Sequence, residues 1–192
     1  MTSRAMRTQG PDVQALLVVD MQRAFVQGAD AVPAAPGLLT AVKTQLARAR
    51  TAGAQVVHLQ NDGTSETGDE PGTDGWKLAL EPVEGESLIR KTEDDAFVGT
   101  HLETLLRDRG VVACSITGLL SEMCVAATAR GALQRGFAVV IAHDSHATYD
   151  VPEQGPSAPA VPARLAARAA EWALGDGPCF VSSAAEVRFR AR

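Results

Sequence analysis

Long apolar runs are missing from this chain: none approaches the roughly 20 residues needed to cross a bilayer, so no membrane span is expected. Positive charge is in deficit as well. The 18 lysines and arginines stand against 23 aspartates and glutamates, a net charge of −5, and neither nucleic acid nor an anionic membrane selects such a surface. Cysteine is scarce. Three residues, an odd number at irregular spacing, suit a reducing compartment better than a disulfide framework, so the cytoplasm is the expected location. Arg4 and Arg7 near the start are followed by no apolar segment, and no secretory leader is read there. Only four histidines occur, His58, His101, His143 and His146, and they lack metal-ligand spacing.

What is present is an ordinary globular composition, 45% hydrophobic and 21% charged over 192 residues, enough to build one core. One domain over residues 13–192 is expected, after a flexible arm at 1–12. The periodicity alternates. Residues 15–19, 56–59, 87–89, 111–117, 137–142 and 179–181 read as strands, the first a continuous apolar run of the kind buried on both faces. Residues 38–52, 100–109, 122–135 and 161–174 read as helices. A polar, Gly-rich loop fills 61–75, and a Pro/Ala-rich segment at 152–162 reads as a surface loop, with a lid as the alternative. This β-α series predicts an α/β fold with a mostly parallel sheet and helices on both faces.

Ligands of such sheets bind beyond the carboxyl ends of strands, where the strand order reverses. Asp20 ends the first strand, Lys91 lies just past the third, and Cys124 opens the helix after the strand at 111–117. If the order is 3-2-1-4-5-6, the carboxylate and the thiol face each other across the crevice. A thiol at a helix N-terminus sits among unpaired amides at the positive end of the dipole, which favours the thiolate. Lys91 would add to that effect, and Asp20 would take the thiol proton and return it to a leaving nitrogen. Backbone amides of Leu120 and Cys124 would receive the oxyanion. Each residue also has a plainer reading: Cys124 a small buried apolar group, Asp20 a cap, Lys91 a surface lysine. Cys114, Cys179 and His58 read as core. Phe25 and Trp76 are candidate pocket walls or ordinary packing, and His146 either lines the site or fills a loop. Asp144 reads as ordering the loops near the site. The acidic run Glu93, Asp94, Asp95 reads as a solvated turn pointing away from Lys91.

The wording of three ordered segments carries more. Leu17, Val18, Val19, Asp20, Met21 and Gln22 with Phe25 form the first. Arg90 and Lys91 followed by Ala96, Phe97 and Thr100 form the second. Gly118, Leu119, Leu120, Ser121, Glu122, Met123, Cys124 and Val125 with Thr128 and Ala132 form the third. Together these resemble the isochorismatase-like cysteine hydrolases, over about residues 15–149. The resemblance implies a three-layer α-β-α fold with a six-stranded parallel sheet of order 3-2-1-4-5-6. It also implies a triad of Asp20, Lys91 and Cys124, and a cis peptide at Leu119–Leu120. Homo-oligomers, dimer or tetramer, are implied as well. One departure matters: nicotinamidases of this superfamily carry an Asp-x-His metal motif where this chain has Asn61, Asp62 and Gly63. A metal-independent hydrolase of a small amide, lactam or carbamoyl compound, with no cofactor, is therefore expected. Vinyl-ether hydrolysis of an isochorismate-like substrate and a non-catalytic binding role are the alternatives.

Overall fold

Residues 10–191 are described by the computed structural model of the chain. Its first strand, β1 (Ala15–Val19), is buried at every position, as its unbroken apolar run requires. Successive side chains point to opposite faces. Leu17 and Val19 join a cluster with Leu59, Ile116, Leu102 and Ala129, whereas Leu16 and Val18 join Leu38, Val42 and Leu46. Two cores thus lie on the two sides of one sheet.

After β1 come α1 (Arg23–Val26), α2 (Ala35–Ala52), β2 (Gln55–Asn61), β3 (Ser87–Lys91), α3 (Leu102–Asp108) and β4 (Ala113–Leu119). A wide π-type turn at Ser121–Val125 leads into α4 (Ala126–Gln134). β5 (Ala138–Ala142), β6 (His146–Ala147), α5 (Ala163–Ala173) and β7 (Cys179–Val181) complete the series. The sheet order is β3-β2-β1-β4-β5-β7, with the short β6 pairing with β4 off this path. Every pairing is parallel. The six-strand order expected from the sequence is therefore the observed path, and β6 is the seventh strand that it did not include. Helices α3 and α4 cover one face and α2 the other.

Two expectations are corrected. Helix α2 begins at Ala35 rather than at 38, because Pro36 sits in its first turn, where a missing N–H costs nothing. The single helix expected at 122–135 is a turn followed by α4, since Met123 has the non-helical angles φ −104° and ψ −107°. The Leu120 carbonyl accepts from both Met123 and Val125 amides at 3.2 Å, which widens the turn. Residues 1–9 of the expected arm lie outside the described residues, but Gly10 is buried and its carbonyl accepts from Arg188 Nη2 at 2.7 Å. Residues 152–162 form a loop closed at its base by the antiparallel bridge Val151↔Val161.

Candidate active site

Parallel register brings the ends of β1, β3 and β4 to one edge. Val19 pairs with Leu59 on β2 and with Gly118 on β4, and Asn61 on β2 pairs with Lys91 on β3. Gly118 has φ +127°, and a Cβ there would overlap the Val19 carbonyl. Only glycine lets β1 and β4 approach this closely just before the nucleophile turn. Asp20 leaves β1 at φ +48°, a left-handed angle uncommon for a non-glycine residue. The Leu119–Leu120 peptide is cis, as the resemblance implies.

At this edge Asp20, Lys91 and Cys124 come together. Lys91 Nζ lies 2.9 Å from Asp20 Oδ2 and 3.3 Å from Cys124 Sγ. It also donates to the Glu93 carbonyl at 3.3 Å and to Asn61 Oδ1 at 3.5 Å. Asp20 and Lys91 are each 3% exposed. Asp20 Oδ1 is buried with no hydrogen-bond partner, so it has a lone pair ready for a proton. Burial raises the Asp20 carboxyl, the Lys91 charge offsets part of this, and Asp69 adds to the rise. For Lys91, burial pulls downward, but Asp20 and Cys124 outweigh it and the ammonium is held above its ordinary value.

The thiol departs from expectation. Burial and the Asp20 carboxylate raise Cys124 well above an ordinary thiol, Lys91 opposes them, and Asp94 raises it further. The shift runs opposite to the one that the helix end and Lys91 alone would produce. A second correction follows from the same contact: Cys124 Sγ donates to Asp94 Oδ1 at 3.3 Å. The acidic run does not simply point outward. Asp94 faces the thiol, and Asp95 lies 3.6 Å from Arg135 Nη1.

Asn61 and Asp69 also belong to the site, and the sequence reading missed both. Asn61 Nδ2 donates to Asp69 Oδ2 at 2.7 Å, and Asp69 is fully buried with Oδ1 unpartnered. A Cβ on Gly63 would overlap this carboxylate. Gly63 thus marks the space that Asp69 fills, and its missing side chain was the one sequence signal. Gln22 exchanges hydrogen bonds of 2.9 Å with the Asn61 backbone, fixing the end of β2. No group of three or more His, Cys, Asp or Glu among the described residues is arranged to hold a metal.

The remaining candidates are placed differently. Trp76 Nε1 donates to Asp62 Oδ1 at 2.9 Å, and the Arg90 guanidinium lies 5.1 Å from its ring centre; these contacts tie the indole to Asp62 and Arg90 rather than to a triad residue. Phe25 is half-buried against the α2 side of the core. His146 is bonded at both nitrogens, Nδ1 to Ser121 Oγ at 2.8 Å and Nε2 to Glu171 Oε1 at 2.9 Å, so it braces the turn that carries Cys124 rather than offering a free edge to substrate. His146 and Glu171 line a groove of about 1020 Å³ between α2 and α5. No triad member lines that groove.

Known proteins place this arrangement in context. The family profile described as Isochorismatase domain matches residues 14–158. Two streptothricin hydrolases of Streptomyces noursei are 56% identical over 181 residues, 93% of this chain, which covers 66% of one and 72% of the other. The ureidoacrylate amidohydrolase RutB of Agrobacterium fabrum is 26% identical over 177 residues, 72% of this chain and 77% of that one. The crystal structure of a cysteine hydrolase from Pseudomonas syringae pv. phaseolicola shares the fold, with a TM-score of 0.83, 24% identity and coverage of 97% and 96% of the two chains.

Proposed function

The chain belongs to the isochorismatase family of hydrolases, and from that premise we propose that it cleaves a C–N bond through a thioester on Cys124. One observation carries the reading: at the carboxyl edge of the sheet a single ammonium, that of Lys91, lies 3.3 Å from the Cys124 thiol and 2.9 Å from the Asp20 carboxylate. Asp20 Oδ1 takes the thiol proton as Sγ attacks the carbonyl carbon. The oxyanion is received by the amides of Leu120 and Cys124. As the tetrahedral centre collapses, Asp20 returns the proton to the leaving nitrogen and an amine departs. Water, deprotonated by Asp20, then attacks the thioester, and acid and free thiol result. Lys91 holds Asp20 in place and offsets negative charge on sulfur. No metal or other cofactor enters these steps.

The similarity to the streptothricin hydrolases makes streptothricin the first substrate to test. Mass spectrometry of the enzyme during turnover should show an acyl adduct on Cys124, and Cys124→Ala should abolish both adduct and hydrolysis. Full activity in Cys124→Ala would overturn the thioester reading. We further propose a homo-oligomer in the cytoplasm. Leu165 and Trp172, exposed one above the other on α5 at 47% and 66%, support an assembly surface, and the odd cysteine count supports the location. No helix among the described residues is long and apolar enough to cross a membrane.

A further inference from the structure

We infer that Asp94 makes this site select substrates that carry a positive charge within a few bonds of the scissile carbonyl. The inference rests on Cys124 being the attacking group and concerns what that group accepts. Asp94 Oδ1 lies 3.3 Å from the sulfur, and a carbonyl carbon poised for attack sits about 3–3.5 Å from it. Whatever the carboxylate touches on a bound substrate is therefore close to the reacting bond.

The position of Asp94 is built rather than incidental. Thr128 Oγ1, on α4, donates to the Asp94 carbonyl at 3.3 Å and accepts from the Ala96 amide at 3.2 Å. Asp95 Oδ1 accepts from the Phe97 amide at 3.0 Å, and Gly131 leaves the room that Asp95 occupies. The residue itself is exposed, so its carboxylate meets whatever enters.

Charge balance gives the preference its sign. Lys91 is engaged by Asp20 at 2.9 Å, and Arg90 by Asp62 at 2.7 Å. Among the described residues no lysine, arginine or histidine makes an ion pair with Asp94. The buried Asp69 adds a further carboxylate with an unpartnered oxygen. A carboxylate against the sulfur opposes formation of the thiolate, and that is a handicap while the site is empty. A substrate ammonium or guanidinium seated on Asp94 removes the handicap as it binds. A neutral substrate leaves it in place, and an anionic one makes it worse.

The test reads Cys124 directly and needs no identified substrate. Aminoethyl, ethyl and sulfonatoethyl methanethiosulfonate each form a disulfide with a cysteine, releasing methanesulfinate, and differ in the charge they carry. Second-order rates of modification at Cys124, assigned by peptide mass, should fall from cationic to neutral to anionic reagent. The extremes should differ by about tenfold or more. In Asp94→Asn the order should flatten, and in the wild type it should shrink as salt is raised. No charge preference in the wild type, or an unchanged order in Asp94→Asn, overturns the inference. A uniform fall for all three reagents does so too, because it would make Asp94 a support for geometry. Asp94→Ala repeats the test without the amide. Failure of the thioester reading is separate, since it appears as hydrolysis surviving Cys124→Ala whatever the labelling order.

Discussion

Glu86 enters β3 at the end opposite Lys91, and its replacement by glutamine should cost stability in a pH-dependent way. The carboxylate accepts Arg50 Nε at 2.7 Å and Nη2 at 3.1 Å, the Val83 amide at 2.9 Å, and pairs with His58 Nε2 at 2.9 Å. Its side chain is only 6% exposed. Burial alone would push this carboxyl up; Arg50, the Val83 amide and His58 reverse that and hold it from 4.5 down to about 2. At about 1.4 kcal/mol for each tenfold change in proton affinity, the shift corresponds to about 3 kcal/mol of folding free energy at neutral pH. A lowered carboxyl contributes fully above the unfolded value of 4.5 and loses that contribution as pH falls towards about 2. Urea denaturation of wild type and Glu86→Gln should therefore differ by about 3 kcal/mol at pH 7 and by about 1 kcal/mol at pH 3. A difference that stays constant over this range would mean that shape rather than charge is lost. A difference below about 0.5 kcal/mol at pH 7 would refute the stabilising role of the Arg50–Glu86–His58 cluster.

Two further outcomes test the site. Gly63→Ala should force Asp69 from its place beside Asn61 and lower turnover by about tenfold, together with a lower melting temperature; unchanged values of both would refute the packing of that carboxylate against Gly63. Iodoacetamide should modify resting Cys124 more slowly at pH 7 than it modifies a small free thiol, with the rate rising above pH 9, because burial and two carboxylates raise the group. Rapid labelling at pH 6 would sink that account.

Sequence patterns revealed most of the frame. β1 and β4 lie at the centre of the sheet, and burial on both faces leaves unbroken apolar runs. Asp20, Lys91 and Cys124 were legible because each lies at a strand end or in the turn after one, Lys91 being the last residue of β3 rather than just past it, and parallel strands bring such ends together. What escaped was set by contacts far apart in the chain. Periodicity over 122–135 reports which side chains are apolar, not that one carbonyl, Leu120, accepts two amides and widens the turn. Three acidic residues in a row look like a solvated turn, because nothing local to them says that Thr128 on α4 ties the Asp94 backbone beside the thiol. Asp69 carries no motif; it matters because Gly63 and Asn61 make room and a partner for it. The direction of the Cys124 shift differs from the sequence expectation for a related reason. A helix end and a nearby lysine are visible in sequence, whereas burial is not.

A raised thiol is compatible with nucleophilic attack once the path of the proton is followed. Releasing it to solvent creates net charge in a buried site, and burial opposes that. Passing it from Cys124 to Asp20 leaves the net charge of the triad unchanged, so burial raises both partners and largely cancels in the transfer. Both groups are indeed raised by burial first. The proposed proton path therefore predicts a requirement for the carboxylate at neutral pH. Asp20→Asn should lower turnover by about 10²–10⁴ at pH 7. The same change removes a carboxylate that raises the thiol, so the residual rate should climb as pH rises and hydroxide takes over the proton. Lys91 remains to hold the thiolate once it forms. Steady-state turnover measured from pH 6 to pH 10 distinguishes the cases. A low rate that stays flat with pH would mean Asp20 is needed for shape. A rate near wild type at pH 7 would mean that the proton leaves by another route, and the role given to Asp20 would be wrong.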